Sequence, residues 1–171
     1  RRMMEHPPAH DTTEIPVVRP TASPDDEGSR RRIPNRPIVV AANRLPVTRS
    51  AQHEWTPSPG GLVRALLPLL RTSGGTWVGW TGEPDDVPDP FVYDGVNLRP
   101  ILVTAEEVQD YYEGFSNDTL WPLYHDALRD STYSNEHWAA YQTVNQRFAD
   151  VLTEVAPDEA IVWIHDYHLQ L

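Results

Sequence analysis

The 171 residues carry 14 basic against 25 acidic side chains, a formal net charge of −11. Every basic residue is arginine, so a Walker-type phosphate loop and lysine Schiff-base or general-base chemistry are excluded, and the acidic balance argues against a nucleic-acid partner. With no cysteine there are no disulfides, zinc-thiolate sites or thiol nucleophiles, and a cytoplasmic setting is the simplest reading.

Residues 1–36 hold seven Arg, six acids and six Pro, with the stretch Pro24–Ser29 and the triplet Arg30-Arg31-Arg32. No apolar periodicity runs through them, so they bury too little surface to offset their ordering entropy and are expected to form a disordered leader. The triplet is either a solvated tail charge or a contact for anionic partners. Order is expected from Pro37. Ile38-Val39-Val40-Ala41-Ala42 is a continuous, β-branched apolar run, which suits a strand buried on both faces of a parallel sheet. Asn43-Arg44-Leu45-Pro46 ends it. After Pro57-Ser58-Pro59-Gly60-Gly61, Leu62, Ala65, Leu66 and Leu69 fall at i, i+3, i+4 and i+7, predicting a helix over Leu62–Leu70 that Pro68 should kink or shorten.

Thr76–Trp80 is the second predicted strand, followed by an acidic, proline-rich loop from Glu83 to Pro90. Val96–Val103 is the third, with Pro100 suggesting an edge position. Thr104-Ala105-Glu106-Glu107 has capping-box spacing and opens a short helix through Tyr112. A second helix is expected over Asn117–Asp130. The strongest covers Glu136–Val155, where Trp138, Tyr141, Val144, Asn145, Phe148, Leu152 and Val155 recur every three or four positions. Ile161–Ile164 is expected as a buried strand leading into His165-Asp166-Tyr167-His168. Strands alternating with helices give an α/β fold with a mostly parallel sheet. The chain reaches Leu171 without a further helix to cover that sheet, and is expected to be an amino-terminal piece of a longer protein. Every apolar run is shorter than the roughly 18 residues a membrane span needs, so no membrane partner is expected.

Ligands of open parallel sheets bind at the carboxyl ends of the strands. Polar groups fall there at Asn43-Arg44, from Trp80 onward, and at His165–His168. Arg44 could hold a phosphate or carboxylate in a bidentate grip, or pair with one of the many acids. Gly60-Gly61 before a helix exposes amides and the positive end of the helix dipole to a diphosphate or sugar, or is a plain turn. His165, Asp166 and His168 could be metal ligands, acid–base groups, hydroxyl anchors or members of a satisfied turn. Their spacing lacks the third strong ligand of a closed zinc site, and a carboxylate orienting sugar hydroxyls is the preferred reading. Tyr111-Tyr112, Trp121, Trp77 and Trp80 could stack on a sugar or a base, whereas Trp138, Tyr141 and Phe148 belong to the core.

Six motifs in order resemble the amino-terminal half of the trehalose-6-phosphate synthase family: Asn43-Arg44-Leu45-Pro46, Pro59-Gly60-Gly61-Leu62, Trp77-Val78-Gly79-Trp80, Tyr111–Asn117, Leu120–His125 and Trp163–Leu169. The resemblance covers residues 37–171. It implies a retaining glycosyltransferase of GT-B architecture, with two Rossmann-like domains, that moves glucose from a nucleotide sugar, usually UDP-glucose, to glucose 6-phosphate. It implies no cofactor and no metal, with the nucleotide sugar as co-substrate, and it allows a homo-oligomer of the full-length enzyme. By motif match Arg44 and Tyr112 would contact the acceptor phosphate, Trp121 would shape the acceptor pocket and Trp80 would line the cleft. Asp166 would hold sugar hydroxyls as the catalytic-site carboxylate, and Gly60 and Gly61 would approach the nucleotide sugar. The family's diphosphate-neutralising Arg and Lys lie past Leu171, so the 171 residues alone are expected not to turn over. A non-catalytic homologue of the same fold, and a metal-dependent hydrolase built on His165, Asp166 and His168, are the competing readings.

Overall fold

A computed structural model describes residues 36–126 and 131–171. The expected leader, its arginine triplet, and the last four residues of the helix expected over Asn117–Asp130 lie outside them. A five-stranded sheet forms the centre, built from β1 (Ile38–Arg44), β4 (Thr76–Trp80), β5 (Phe91–Tyr93), β6 (Val96–Ile101) and β7 (Ile161–Ile164) in the order β5-β6-β4-β1-β7. β6, β4, β1 and β7 run parallel, and β5 is antiparallel to β6. A separate hairpin pairs β2 (Val47–Arg49) with β3 (Trp55–Pro57).

Both faces of β1 are covered, as its unbroken apolar run requires. Val40 and Ala42 pack with Leu66, Leu67 and Leu70 of α1 (Gly61–Ser73). Val39 and Ala41 pack with Tyr141, Val144 and Phe148 of α4 (Asn135–Val155). Trp138, Tyr141 and Phe148 thus sit in or against the core, as their spacing predicts. α4 starts at an N-cap, Ser134, whose hydroxyl accepts from the amides of Glu136 and His137.

Four expectations are corrected. α1 continues through Pro68 to Ser73, because Pro68 and Arg64 lie on its exposed face, where the carbonyl that proline leaves unbonded meets water. β6 is internal, not an edge. β5 pairs only with Val96–Leu98, however, so Pro100 lies on the half of β6 whose outer side is free and its missing N–H is not needed there.

The helix after Thr104 does not stop at Tyr112. The capping box forms as expected at α2 (Ala105–Glu107), which then runs into π-helical turns over Val108–Leu120 and on into α3 (Trp121–Tyr124). The wider turns pack against α4 at Gly114, where a Cβ would lie 2.6–2.8 Å from the His137 ring. Finally, β7 pairs with β1 but its side chains are 36% to 52% exposed, because among the described residues no helix covers them.

Candidate functional site

β1 and β7 end side by side, and the loops that follow them build the site. Beyond Ala41 the register of β1 against β4 shifts, and Arg44 comes opposite Trp80. The end of β1 is fixed by two bonds: Leu45 N donates to the Trp80 carbonyl at 2.7 Å and Trp77 Nε1 donates to the Arg44 carbonyl at 3.0 Å. Asn43 is buried and accepts from the Tyr111 hydroxyl at 2.9 Å. Burial pushes the Tyr111 phenol well above its usual range, so it stays a neutral donor.

The Arg44 guanidinium lies 4.4 Å from the Trp80 ring centroid and 5.5 Å from that of Tyr112. Trp80 meets Tyr112 edge-on at 6.0 Å and is 1% exposed, with its Nε1 donating to the Glu83 carbonyl at 2.8 Å. Its ring therefore backs the arginine and does not itself face solvent. Arg49, Arg71, Arg99 and Arg147 are each paired with a carboxylate. Arg44 forms no ion pair among the described residues, so the salt-bridge reading of that position finds no partner there.

After β7, His165 N still bonds to the Ala41 carbonyl at 2.8 Å, and Asp166 then turns the chain with a φ of 73°. Its carboxylate accepts from the Tyr167 amide at 2.8 Å, the local bond that lets aspartate adopt this region, and its side chain remains 45% exposed. His168 is 8% exposed and lies in a ring stack, 5.6 Å from Tyr112 and 4.1 Å from Tyr167. Neither ring nitrogen has a hydrogen-bond partner among the described residues. Burial pushes the His168 imidazole down to about 4. The Asp166 carboxylate 4.0 Å away opposes this, and Arg44 and His165 add to it. The histidine acts as a neutral aromatic spacer between two tyrosines.

Two openings meet at Asp166. One, of about 530 Å³, is lined by Arg44, Gly60, Gly61, His165 and Asp166 among others. Gly60 caps α1 with a φ of 150°, so no side chain caps the first amides of that helix; Gly60, Gly61, Leu62 and Val63 line the opening, and a Cβ on either glycine would meet nothing within 4 Å. The other, an open groove of about 1100 Å³, runs from Asp166 past Tyr167 to Trp121, which is 45% exposed and stacks on His125 at 4.2 Å. Arg44, Gly60, Gly61 and Asp166 are thus brought together, Trp121 shares the groove with Asp166, and Trp80 and Tyr112 stand behind Arg44.

The sequence reading missed the elements that hold the loop. Tyr141 donates to the Tyr167 carbonyl at 2.7 Å and accepts from Gln170 N at 3.1 Å. Asn145 donates to the His168 carbonyl at 3.1 Å, and Tyr167 donates to Asn117 at 3.0 Å. The signal available was Asn145 itself, an amide on the inward face of α4 that needs buried partners.

The competing hydrolase reading lacks a ligand set. Among the described residues no three His, Asp or Glu side chains gather as a metal site, and His168 is enclosed by tyrosines. Nor do the described residues that line the two openings supply a glycosidase-like carboxylate pair, Asp166 being the one acid among them. No described helix is long and apolar enough to cross a membrane.

The model of glycosyltransferase family 20 matches residues 33–171, all of the part that carries these features. The chain belongs to glycosyltransferase family 20. The trehalose-6-phosphate synthase of Mycolicibacterium gilvum (strain PYR-GCK) is 49% identical over 144 residues, covering 78% of this chain and 29% of that protein. Among solved family structures, one from E. coli bound with UDP-2-fluoro glucose superposes with a TM-score of 0.65 at 33% identity, covering 77% of this chain and 28% of the other. An α,α-trehalose-phosphate synthase (UDP-forming) from Burkholderia xenovorans in complex with glucose-6-phosphate gives 0.62 at 28%, covering 78% and 29%. The chain therefore spans under a third of the length of the family 20 proteins it matches.

Proposed function

We propose that this chain forms the acceptor side of a retaining glucosyltransferase of GT-B architecture that makes trehalose 6-phosphate from UDP-glucose and glucose 6-phosphate, in the cytoplasm. The observation that carries this reading is Arg44, a guanidinium held on aromatic faces with no carboxylate partner among the described residues, beside an opening that also presents Asp166 and the amino end of α1. A phosphate dianion fits the first group, sugar hydroxyls the second and a nucleotide diphosphate the third. The two ligand-bound relatives carry a UDP-sugar analogue and glucose-6-phosphate, which supports the same pair here.

In this reading Arg44 fixes the acceptor by its phosphate, with Tyr112 beside it. Asp166 accepts hydrogen bonds from the sugar hydroxyls, and Trp121 closes the far side of the hexose along the groove. Gly60 and Gly61 allow the donor diphosphate to approach the α1 amides without a side chain between them. The bond from the donor anomeric carbon to the diphosphate breaks as the acceptor's anomeric hydroxyl attacks from the same face. Its proton passes to the departing diphosphate oxygen, so no second carboxylate is required. The chain's own contribution is positioning.

Calorimetric titration of glucose 6-phosphate into this chain and into Arg44→Ala tests the reading. Losing charge-assisted bonds worth about 1.5–3 kcal/mol should weaken binding roughly 10- to 100-fold. Equal affinities in the two proteins would remove Arg44 from the phosphate site.

A further inference from the structure

Arg44 is exposed and no carboxylate among the described residues holds it, so some other constraint must point it one way. Two walls of that constraint are the Trp80 and Tyr112 rings. The third is an empty space. Gly82 has a φ of 101°, and a Cβ added to it would fall on Nη1 of Arg44, 3.2 Å from Cζ and 3.7 Å from Cδ. The guanidinium occupies the volume that any other residue at position 82 would fill.

The backbone around Gly82 is not free to retreat. Trp80 Nε1 donates to the Glu83 carbonyl at 2.8 Å, Thr81 Oγ1 donates to the Asp86 carbonyl at 3.2 Å, and the Glu83 amide donates to Thr81 Oγ1 at 3.2 Å. One turn further on, Asp85 N bonds to the Val103 carbonyl at 3.0 Å, which ties the loop to the end of the sheet. A methyl group at position 82 must therefore be met by movement of the flexible Arg44 side chain.

We propose that Gly82 is a positioning residue for the sugar-phosphate reaction, leaving the space in which the Arg44 guanidinium lies across Trp80 with its charge unneutralised. The inference rests on the reading of Arg44 as the phosphate ligand. A carboxylate at this position would orient the arginine equally well but would compete with the substrate's phosphate. Ring faces and a missing side chain orient it while its N–H donors stay available.

The test is an NMR-detected titration of glucose 6-phosphate and of glucose into the wild-type chain, Gly82→Ala, Arg44→Ala and the double variant. The expected result is a loss of about 10-fold in glucose 6-phosphate affinity for Gly82→Ala, the size of one or two charge-assisted bonds, with glucose affinity unchanged. The double variant should bind as Arg44→Ala does, because the methyl group then has nothing to displace, whereas a general structural defect would add to the loss. Should Gly82→Ala not fold, Gly82→Asn replaces it, asparagine being the side chain most tolerant of positive φ. Wild-type affinity in the folded Gly82 variant, an equal loss toward glucose, additivity in the double variant, or failure of both variants to fold would each overturn the proposal. An Arg44→Ala protein that binds glucose 6-phosphate normally would instead overturn the reading it rests on.

Discussion

Replacing His168 with phenylalanine should make the protein less sensitive to acid. The imidazole titrates at about 4 in the folded chain against an ordinary 6.5, chiefly because burial between Tyr112 and Tyr167 disfavours its charged form. As pH falls the unfolded chain takes up this proton first. The stability that the neutral ring contributes is therefore fully present above pH 6.5 and is lost as pH falls from there through about 4. At about 1.4 kcal/mol per pH unit, that interval corresponds to a contribution on the order of 3 kcal/mol. Phenylalanine keeps the ring stack and removes two buried nitrogens that have no hydrogen-bond partner among the described residues. At pH 7 the His168→Phe protein should thus be at least as stable as the wild type. Urea unfolding of both proteins from pH 7 to pH 4 measures the effect. The gap should widen in favour of His168→Phe by about 3 kcal/mol across the range. A gap that does not change with pH, or an imidazole seen by NMR to titrate near its ordinary value, would refute the reasoning.

Three further outcomes are expected. Arg147 grips Glu107 with two bonds of 2.8 and 2.9 Å and also donates to the Leu102 carbonyl at 2.6 Å, tying α4 to the start of the helix that carries Tyr112. Arg147→Ala should cost about 2 kcal/mol, a fall of roughly 4–8 °C in melting temperature. Burial alone would raise the Glu107 carboxyl, but the bonds to Arg147 and Thr104 outweigh it and hold the group below its usual 4.5. The pair's contribution should therefore persist at neutral pH and vanish only as pH falls below the ordinary carboxylate range. Gly79→Ala would place a Cβ 2.7–2.8 Å from backbone atoms of Arg44 and Leu45, neither of which can swing aside. About 1–3 kcal/mol of destabilisation is expected by chemical denaturation. Tyr141→Phe removes the hydroxyl that holds the Tyr167 carbonyl and the Gln170 amide, and hydrogen exchange at Gln170 should speed up by about an order of magnitude while α4 itself stays protected.

The parts of the fold legible in the sequence were those whose pattern is set by burial. β1 has no polar residue until its end because both its faces are covered, and α4 carries a long inward stripe, so each is readable from periodicity alone. β2, β3 and β5 are three residues each, too short for any period to show. The helix that carries Tyr111 and Tyr112 runs on past Tyr112, where Gly114 packs against His137, a tertiary contact that local propensity does not encode. Asp166 and Arg44 could be placed at strand ends from sequence. That Arg44 rests on rings while other arginines take carboxylates depends on the loop through Gly82, whose role is written in an absent side chain. From sequence His168 could be a metal ligand, an acid–base group, a hydroxyl anchor or a member of a satisfied turn. Its actual surroundings are two tyrosine faces brought in from different elements.

The most direct test of the account is a crystal structure of this chain with glucose 6-phosphate bound. The phosphate should lie in ion-pair contact with Arg44, with the hexose hydroxyls on Asp166 and the ring directed along the groove toward Trp121. A phosphate bound at the amino end of α1 with Arg44 unoccupied, or a hexose that does not touch Asp166, would contradict it.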